Sequence, residues 1–181
     1  MIIKAISHTT RNSPKKLINY IFDGRKSLED PRGNRLVFKQ HLRSHDKDKW
    51  IKQFNELETQ RQSHYANKSV VCQHIVVSFS DKSTQYLNRE IIKDLVQKFI
   101  DLYTEGNQLC VGGVHFDKGK NWHAHLVVSQ LKLDGFSGWK TKSCFAEIKK
   151  EVQNYQIENY PQLEDSIVEH GLKKKISPLL F

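Results

Sequence analysis

The segment that most constrains this chain is residues 114–128, VHFDKGKNWHAHLVV. Its apolar ends read as strands, and the central DKGKN has the composition of a hairpin loop. Because side chains alternate along a strand, His123 and His125 project from one face. If the chain turns within residues 117–121, His115 lies opposite His123, and directly opposed Cβ atoms are about 5 Å apart. The pleat and register of one hairpin therefore predict that three imidazoles converge.

Three neutral imidazoles with open coordination positions are typical of a site for a Lewis-acid divalent metal ion. Asp117 shares the face of His115, so we expect it either to orient an imidazole or to contact the ion. Manganese, magnesium and zinc all remain open, although magnesium prefers oxygen ligands. The alternative is three unrelated histidines on a half-exposed sheet. An isolated HxH pair would fit that alternative, but HxD followed by WHAH across a loop favours a metal site.

The charge of the chain favours a polyanionic partner. Lys and Arg number 29 against 20 Asp and Glu, which gives a net charge of +9 over 181 residues. An excess on this scale favours phosphate contacts through counterion release, although a basic surface also serves solubility. Candidate phosphate contacts are the cations Lys118, Lys120, Arg25 and Lys26 and the hydroxyl of Ser78, with Arg11, Arg32, Arg35, Lys39 and Arg43 as further cations. Trp122 is either a stacking residue at the rim of the site or a core residue.

The cysteines and the apolar runs bear on the compartment. Cys72, Cys110 and Cys144 lie far apart with no CxxC pair, which fits buried positions in a reducing environment. The N-terminus lacks the apolar run of a signal peptide, and no stretch is long enough to span a membrane. We therefore expect a cytoplasmic protein without a membrane segment.

The periodicity of the chain predicts an α+β fold, with an antiparallel sheet that carries helices mainly on one face. The predicted N-caps are Ser13, Asn88 and Ser143. Residues 25–45 are basic and irregular, and we interpret them as a loop or mobile arm. A folded domain over 1–165 would be followed by a basic tail over 166–181. The predicted strands cover 2–7, 70–79, 108–116 and 122–132, and the predicted helices cover 13–24, 46–66, 88–103 and 143–159.

The metal motif, His115-x-Asp117 and then His123-Ala124-His125, resembles that of the HUH endonucleases, in which U is a hydrophobic residue. More narrowly, the chain resembles the relaxase or mobilisation nuclease domain of plasmids and conjugative elements, in the P-type, VirD2-like branch. Three further stretches agree in order over about residues 1–160: MIIKAIS with LINYIF, HIVVSFSD with Ser78, and SQLKLDGFSGW. Because relaxases often continue into a long C-terminal region, the chain is either a minimal relaxase or the nuclease part of a longer protein.

The resemblance implies an HUH, palm-like nuclease fold and a mechanism. Three histidines would hold a divalent metal ion, and Tyr20, in LINYIF, would attack single-stranded DNA at a transfer origin. The products would be a 5′-phosphotyrosine and a free 3′-OH, which can later rejoin. The implied partners are that single strand, with an adjacent hairpin, and accessory mobilisation proteins, and we expect a monomer.

Several alternatives remain open at this point. A helical tyrosine is often structural, although Tyr20 lies off the apolar stripe of its helix. Replication initiators and transposases of the same superfamily place their tyrosine after the metal motif, which makes Tyr155 the reserve nucleophile. Ser78 and His74 share a strand face and either contact phosphate or support the sheet. From a different class, the chain would be a non-catalytic nucleic-acid-binding domain with structural zinc, or a hydrolase that uses water.

Overall fold

A computed structural model describes residues 1–61, 69–117 and 121–168. In these ranges five antiparallel strands form one sheet in the order β1-β3-β5-β4-β2. The strands are β1 (Ile2–His8), β2 (Val37–Gln40), β3 (Cys72–Ser78), β4 (Gln108–His115) and β5 (His123–Lys132). The α-helices are α1 (Ser13–Ile21), α2 (Lys47–Glu58), α3 (Arg89–Thr104) and α4 (Lys142–Asn159), with 3₁₀-helices at Asp81–Tyr86 and Pro161–Ser166. The predicted antiparallel α+β fold is confirmed.

Strand β2 is the element that the sequence did not predict. Its four residues lie in the basic segment that we interpreted as a loop or mobile arm. Val37–Gln40 pairs with the edge of β4, and the Phe38 side chain is buried in the core. A four-residue strand carries too short an alternation to be recognised, and its backbone partner lies far away in the sequence. Long-range pairing with β4 therefore forms β2.

The helices cover both faces of the sheet, which corrects the prediction that they lie mainly on one face. Helices α3 and α4 pack on one face, in a core that contains Leu95, Phe99, Ile75 and Leu126. Helices α1 and α2 pack on the other face, where Ile18 and Phe54 share a cluster with Val111 and Val127. The reason is visible in β4 and β5, whose residues are buried almost continuously. Strands that are apolar on both sides need cover on both sides.

The cover on the α1 side is incomplete. Ile6 lies opposite His74 across β1 and β3, and both Ile2 and Ile6 remain about half exposed. The face of the sheet that α1 and α2 occupy is therefore open over β1.

The helix boundaries differ slightly from the predictions. The Asn88 cap is confirmed, since its side chain accepts a hydrogen bond from the amide of Ile91 at 2.9 Å. The N-cap of α1 is Asn12 rather than Ser13, and that of α4 is Thr141 rather than Ser143. Thr141 is the cap because its hydroxyl accepts a hydrogen bond from the amide of Cys144. Helix α2 ends at Glu58, and residues 62–66 of the predicted helix lie outside the described residues.

The C-terminal boundary of the packed region lies later than expected. Ser166 is buried, and its hydroxyl contacts the Ser80 amide and the Ser83 hydroxyl. Val168 exchanges two hydrogen bonds with the Gln153 side chain. The fold therefore continues through residue 168 rather than 165, and the rest of the predicted tail lies outside the described residues. No helix in the described ranges is long and apolar enough to cross a membrane.

Candidate functional site

The site is built on the β4–β5 hairpin. His115 pairs directly with His123, and His125 follows two residues along β5. One ring nitrogen from each of the three histidines lies within 4.8 Å of the other two. The ring centroids are 4.6 Å apart for His115 and His125 and 4.8 Å apart for His123 and His125. The predicted convergence of three imidazoles is confirmed.

Each imidazole is held by a hydrogen bond through one nitrogen, so that the other nitrogen is left to bind a ligand. His115 Nε2 lies 3.0 Å from the Ile21 carbonyl oxygen, and His123 Nδ1 lies 2.7 Å from the Asn121 carbonyl oxygen. A carbonyl oxygen only accepts, so each of these nitrogens donates. His125 Nδ1 lies 2.9 Å from His74 Nε2. Such outer partners fix the orientation and tautomer of metal-binding histidines.

The second nitrogen of His125 shows that the site fits a cation. His125 Nε2 is buried and has no hydrogen-bond partner among the described residues. A buried polar atom without a partner is costly, and a bound metal ion would satisfy it. The three free nitrogens, with no fourth protein ligand in the described cluster, leave coordination positions open.

The electrostatics of the site favour the neutral form of the imidazoles of His115 and His125. Burial, together with the neighbouring His115, His123, His74 and Lys26, lowers the pKa of His125 to about 3. Burial also lowers the pKa of His115, against the opposing effects of its bond to the Ile21 carbonyl and of the charge of Asp117. Neutral imidazole is the form that binds metal ions. The site is therefore ready for a cation at neutral pH.

Tyr20 lies beside the three histidines. Its ring meets the His125 ring edge-on at 5.6 Å and lies 6.2 Å from the His115 ring. The side chain is 44% exposed, in agreement with its predicted position off the apolar stripe. The ammonium of Lys26 sits 4.5 Å from the centre of the Tyr20 ring. A hydroxyl-bearing side chain thus borders the histidine cluster, next to a cation and open to solvent.

Two contacts fix α1 in this place. The Ile21 carbonyl lies in the last turn of α1, where carbonyls lack helical partners, and it accepts from His115. Gly113 lies under the same turn, and a Cβ added there would lie 3.2 Å from Phe22 Cε1 and 3.3 Å from Ile21 Cγ2. The missing side chain lets the helix lie close to β4. These contacts were not identified from the sequence, because only the docking of α1 reveals them.

The remaining candidate residues take different positions. Asp117 acts on His115 through its charge but is not a member of the described metal-binding cluster. Ser78 pairs with His123 across β3 and β5 and so shares the face of the site. Arg25 is exposed and forms an ion pair with Asp23 at 2.6 Å, which lowers the pKa of the Asp23 carboxyl. Lys118 and Lys120 lie outside the described residues.

Tyr155, the reserve nucleophile, is not brought to the histidines. Its hydroxyl donates to the Asp94 carboxylate at 2.9 Å, and the Tyr160 hydroxyl donates to the same oxygen at 2.7 Å. These residues join α3 and α4 on the far side of the sheet from α1. His74, which the sequence left between phosphate contact and sheet support, contacts His125 instead. The sequence did indicate its face, because His74 and Ser78 are an even number of residues apart on one strand.

Comparison with known proteins gives a consistent picture. Residues 20–159 match a family described as relaxase, MobA/VirD2-like, nuclease domain. No curated protein matches by sequence.

Three solved structures share the fold at low sequence identity. One concerns the molecular basis of vancomycin resistance transfer in Staphylococcus aureus, with 14% identity, 95% of this chain and 98% of that chain covered, and a TM-score of 0.59. A second is the conjugative relaxase TrwC in complex with oriT DNA in a metal-bound form, with 16% identity, 96% and 73% covered, and a TM-score of 0.56. A third is the MobM relaxase domain bound to plasmid pMV158 oriT DNA with manganese, with 15% identity, 97% and 96% covered, and a TM-score of 0.57.

Proposed function

This chain belongs to the MobA/VirD2-like relaxases, whose nuclease domain its residues 20–159 match, and from this we propose that Tyr20 nicks and rejoins one DNA strand at a transfer origin. The observation that carries the proposal is the exposed Tyr20 ring at 5.6 Å from His125, on the edge of a three-histidine cluster. This arrangement supports the proposal, because a metal-assisted attack on phosphorus needs a tyrosine hydroxyl next to a cation site. The relaxase would act on a plasmid or conjugative element.

We propose that His115, His123 and His125 hold the divalent ion. A bound divalent ion would neutralise charge on the scissile phosphate and polarise phosphorus towards attack. Manganese and zinc fit the cluster better than magnesium, because its described members are all imidazoles and magnesium prefers oxygen ligands. The relaxase structures of MobM with manganese and of TrwC with copper support a divalent ion of this kind.

The chemistry assigned to this chain is a transesterification. The Tyr20 oxygen forms a bond to phosphorus, the bond from phosphorus to the 3′-oxygen breaks, and the tyrosine loses a proton while the 3′-oxygen gains one. The number of phosphoester bonds is conserved, so a 3′-OH can later reverse the step and rejoin the strand. Lys26 places positive charge beside Tyr20, where the phosphate must approach.

Two of the alternative functions, the initiator or transposase and the structural-zinc domain, have less support. An initiator or transposase mechanism through Tyr155 would need that hydroxyl at the cluster, whereas it is bound to Asp94 on the other side of the sheet. A structural zinc site uses four protein ligands, whereas the described cluster supplies three. The substrate we propose is a single strand beside a hairpin, bound by a cytoplasmic monomer together with accessory mobilisation proteins.

Labelled single strands from the transfer origin of its own element test the proposal. The protein is incubated with them and manganese, and the products are run on a denaturing gel for wild type, Tyr20→Phe and Tyr155→Phe. We expect wild type and Tyr155→Phe to form a covalent adduct that a chelator prevents, and Tyr20→Phe to form none. Loss of the adduct in Tyr155→Phe alone would move the nucleophile to α4. If DNA binds but none of the three proteins forms an adduct, the histidines have a structural role and the proposal is wrong.

A further inference from the structure

Two neighbouring cavities lie along the segment that joins α1 to β2. One has a volume of about 410 Å³ and is lined by Lys26, Arg35 and Phe116 among others. The other has a volume of about 500 Å³ and is lined by Arg32, Arg89, Phe116 and Trp122 among others. Phe116 belongs to both walls, so the cavities adjoin. Because the Lys26 ammonium also lies over the Tyr20 ring, Lys26 connects the first cavity to Tyr20.

The aromatic wall is carried by the same hairpin as the histidines. Phe116 directly follows His115, and Trp122 directly precedes His123. Their rings pack edge-to-face at 5.1 Å and 83°. Phe116 is buried, whereas Trp122 is partly exposed. An unstacked base that enters the second cavity would therefore meet an indole supported from behind.

Cations accompany the aromatic rings along the whole path. Lys26 and Arg35 line the first cavity, and Arg32 and Arg89 line the second. The Arg89 guanidinium donates to the Arg35 carbonyl oxygen at 2.7 Å and so ties the segment to α3. The Arg32 side chain makes no ion pair or hydrogen bond within the described ranges, which leaves its charge available to a phosphate.

The turn that carries Arg32 is already ordered. The Asp30 carboxylate accepts from the amides of Arg32 and Asn34 at 2.8 and 2.9 Å, and the Gly33 amide donates to the Asp30 carbonyl oxygen. Gly33 has a φ of 79°, which glycine adopts readily. A preformed turn costs little additional ordering when a ligand binds.

We propose that the two cavities form one binding track for the single strand that leaves Tyr20, with a base against Trp122 and phosphates on Lys26 and Arg32. The track rests on the proposed function, since it starts at the nucleophile. A positively charged groove combined with aromatic side chains is the arrangement by which proteins bind single-stranded nucleic acids. The Asn34 amide and the Glu90 carboxylate border the second cavity and offer groups for the edge of the base.

Exposed aromatic residues elsewhere offer an internal comparison. Phe136 is 72% exposed and Trp139 is 58% exposed, and both line a separate cavity beyond the other end of β5. Since β5 begins at His123 and ends at Lys132, this second aromatic patch lies far from Tyr20. If exposed aromatic rings alone determined where single-stranded DNA binds, it would bind at Phe136 and Trp139.

Photocross-linking distinguishes the two locations without any nicking. The Tyr20→Phe protein is mixed with a short oligothymidylate that carries one 5-iodouracil, irradiated, and digested for mass spectrometry. We expect cross-links at Trp122 or Phe116. Cross-links confined to Phe136 and Trp139, or absent from the track, would overturn the inference.

Binding measurements provide the matched control. We expect Trp122→Leu to weaken oligothymidylate binding about fivefold to 100-fold, and Trp122→Phe to restore most of it, since stacking tolerates any aromatic ring. Arg32→Ala should lower the slope of log K against log salt by about 0.7, whereas Lys142→Ala, an exposed cation at the start of α4, should leave binding unchanged. Equal effects of Arg32→Ala and Lys142→Ala would refute the track. If wild type nicks DNA but the Trp122 and Arg32 variants bind oligothymidylate as wild type does, only the track is refuted. If the variants show the expected effects on binding but wild type forms no adduct, only the proposed nuclease function is refuted.

Discussion

Replacement of His74 by alanine tests whether the histidine cluster depends on residues behind it. His74 lies on β3, and its Nε2 is 2.9 Å from His125 Nδ1. The two rings also stack, with centroids 5.1 Å apart and an angle of 24°. When His125 uses Nε2 for a metal ion, its Nδ1 carries the proton and donates to His74. His74 therefore fixes both the tautomer and the orientation of a ligand.

The expected magnitude follows from the loss of this one partner. Removal of the outer hydrogen bond to a metal-binding histidine lowers metal affinity about 10-fold to 100-fold. This corresponds to about 1.4 to 2.7 kcal/mol of binding free energy. We expect a loss of affinity near the upper end of this range, because His125 is only 6% exposed and water cannot easily replace the lost acceptor.

Calorimetric titration with manganese and with zinc measures this effect directly. His74→Ala is compared with His74→Gln, whose side-chain oxygen restores an acceptor and should recover part of the affinity. His8→Ala is the control, because the His8 ring neighbours His74 at 6.2 Å without a hydrogen bond to a member of the cluster. Unchanged affinity in His74→Ala, or an equal loss in His8→Ala, would refute the assigned role. Chemical denaturation of the metal-free proteins separates lost affinity from lost stability.

Three further outcomes follow from the structure. Gly113→Ala should reduce nicking and metal affinity together, because the new Cβ would lie 3.2 Å from Phe22 and 3.3 Å from Ile21 and would push α1, with Tyr20 and the Ile21 carbonyl that holds His115, away from β4; unchanged nicking rates and metal affinity would show that α1 tolerates the shift. The metal-free protein should lose stability as the pH falls from 6.5 towards 3, because the pKa of His125 is lowered to about 3 and only the unfolded chain binds the proton over that interval; urea denaturation at neutral and acidic pH measures this, and His125→Gln should weaken the dependence. Tyr155→Phe should lower the melting temperature slightly through the lost hydrogen bond to Asp94 and leave adduct formation intact, and a wild-type melting curve with impaired nicking would contradict that expectation.

The sequence alone determined the histidine cluster. The alternation of side chains on β5 and the short hairpin loop place His115, His123 and His125 together, and both depend only on neighbours along the chain. The same local rules predicted most of the elements and the Asn88 cap. They failed for β2, whose four residues form a strand only because β4 offers an edge to pair with.

The position of Tyr20 was decided by the tertiary structure. Helical periodicity placed Tyr20 away from the apolar stripe. The face of the sheet on which α1 docks, however, depends on residues much later in the chain. The hydrogen bond from His115 to the Ile21 carbonyl, for example, joins residues 94 positions apart. The absence of a side chain at Gly113 allows that approach. His74 became part of the site in the same way, through the register of β3 against β5. Contacts between distant segments arise from packing of the whole core, and no local pattern encodes them.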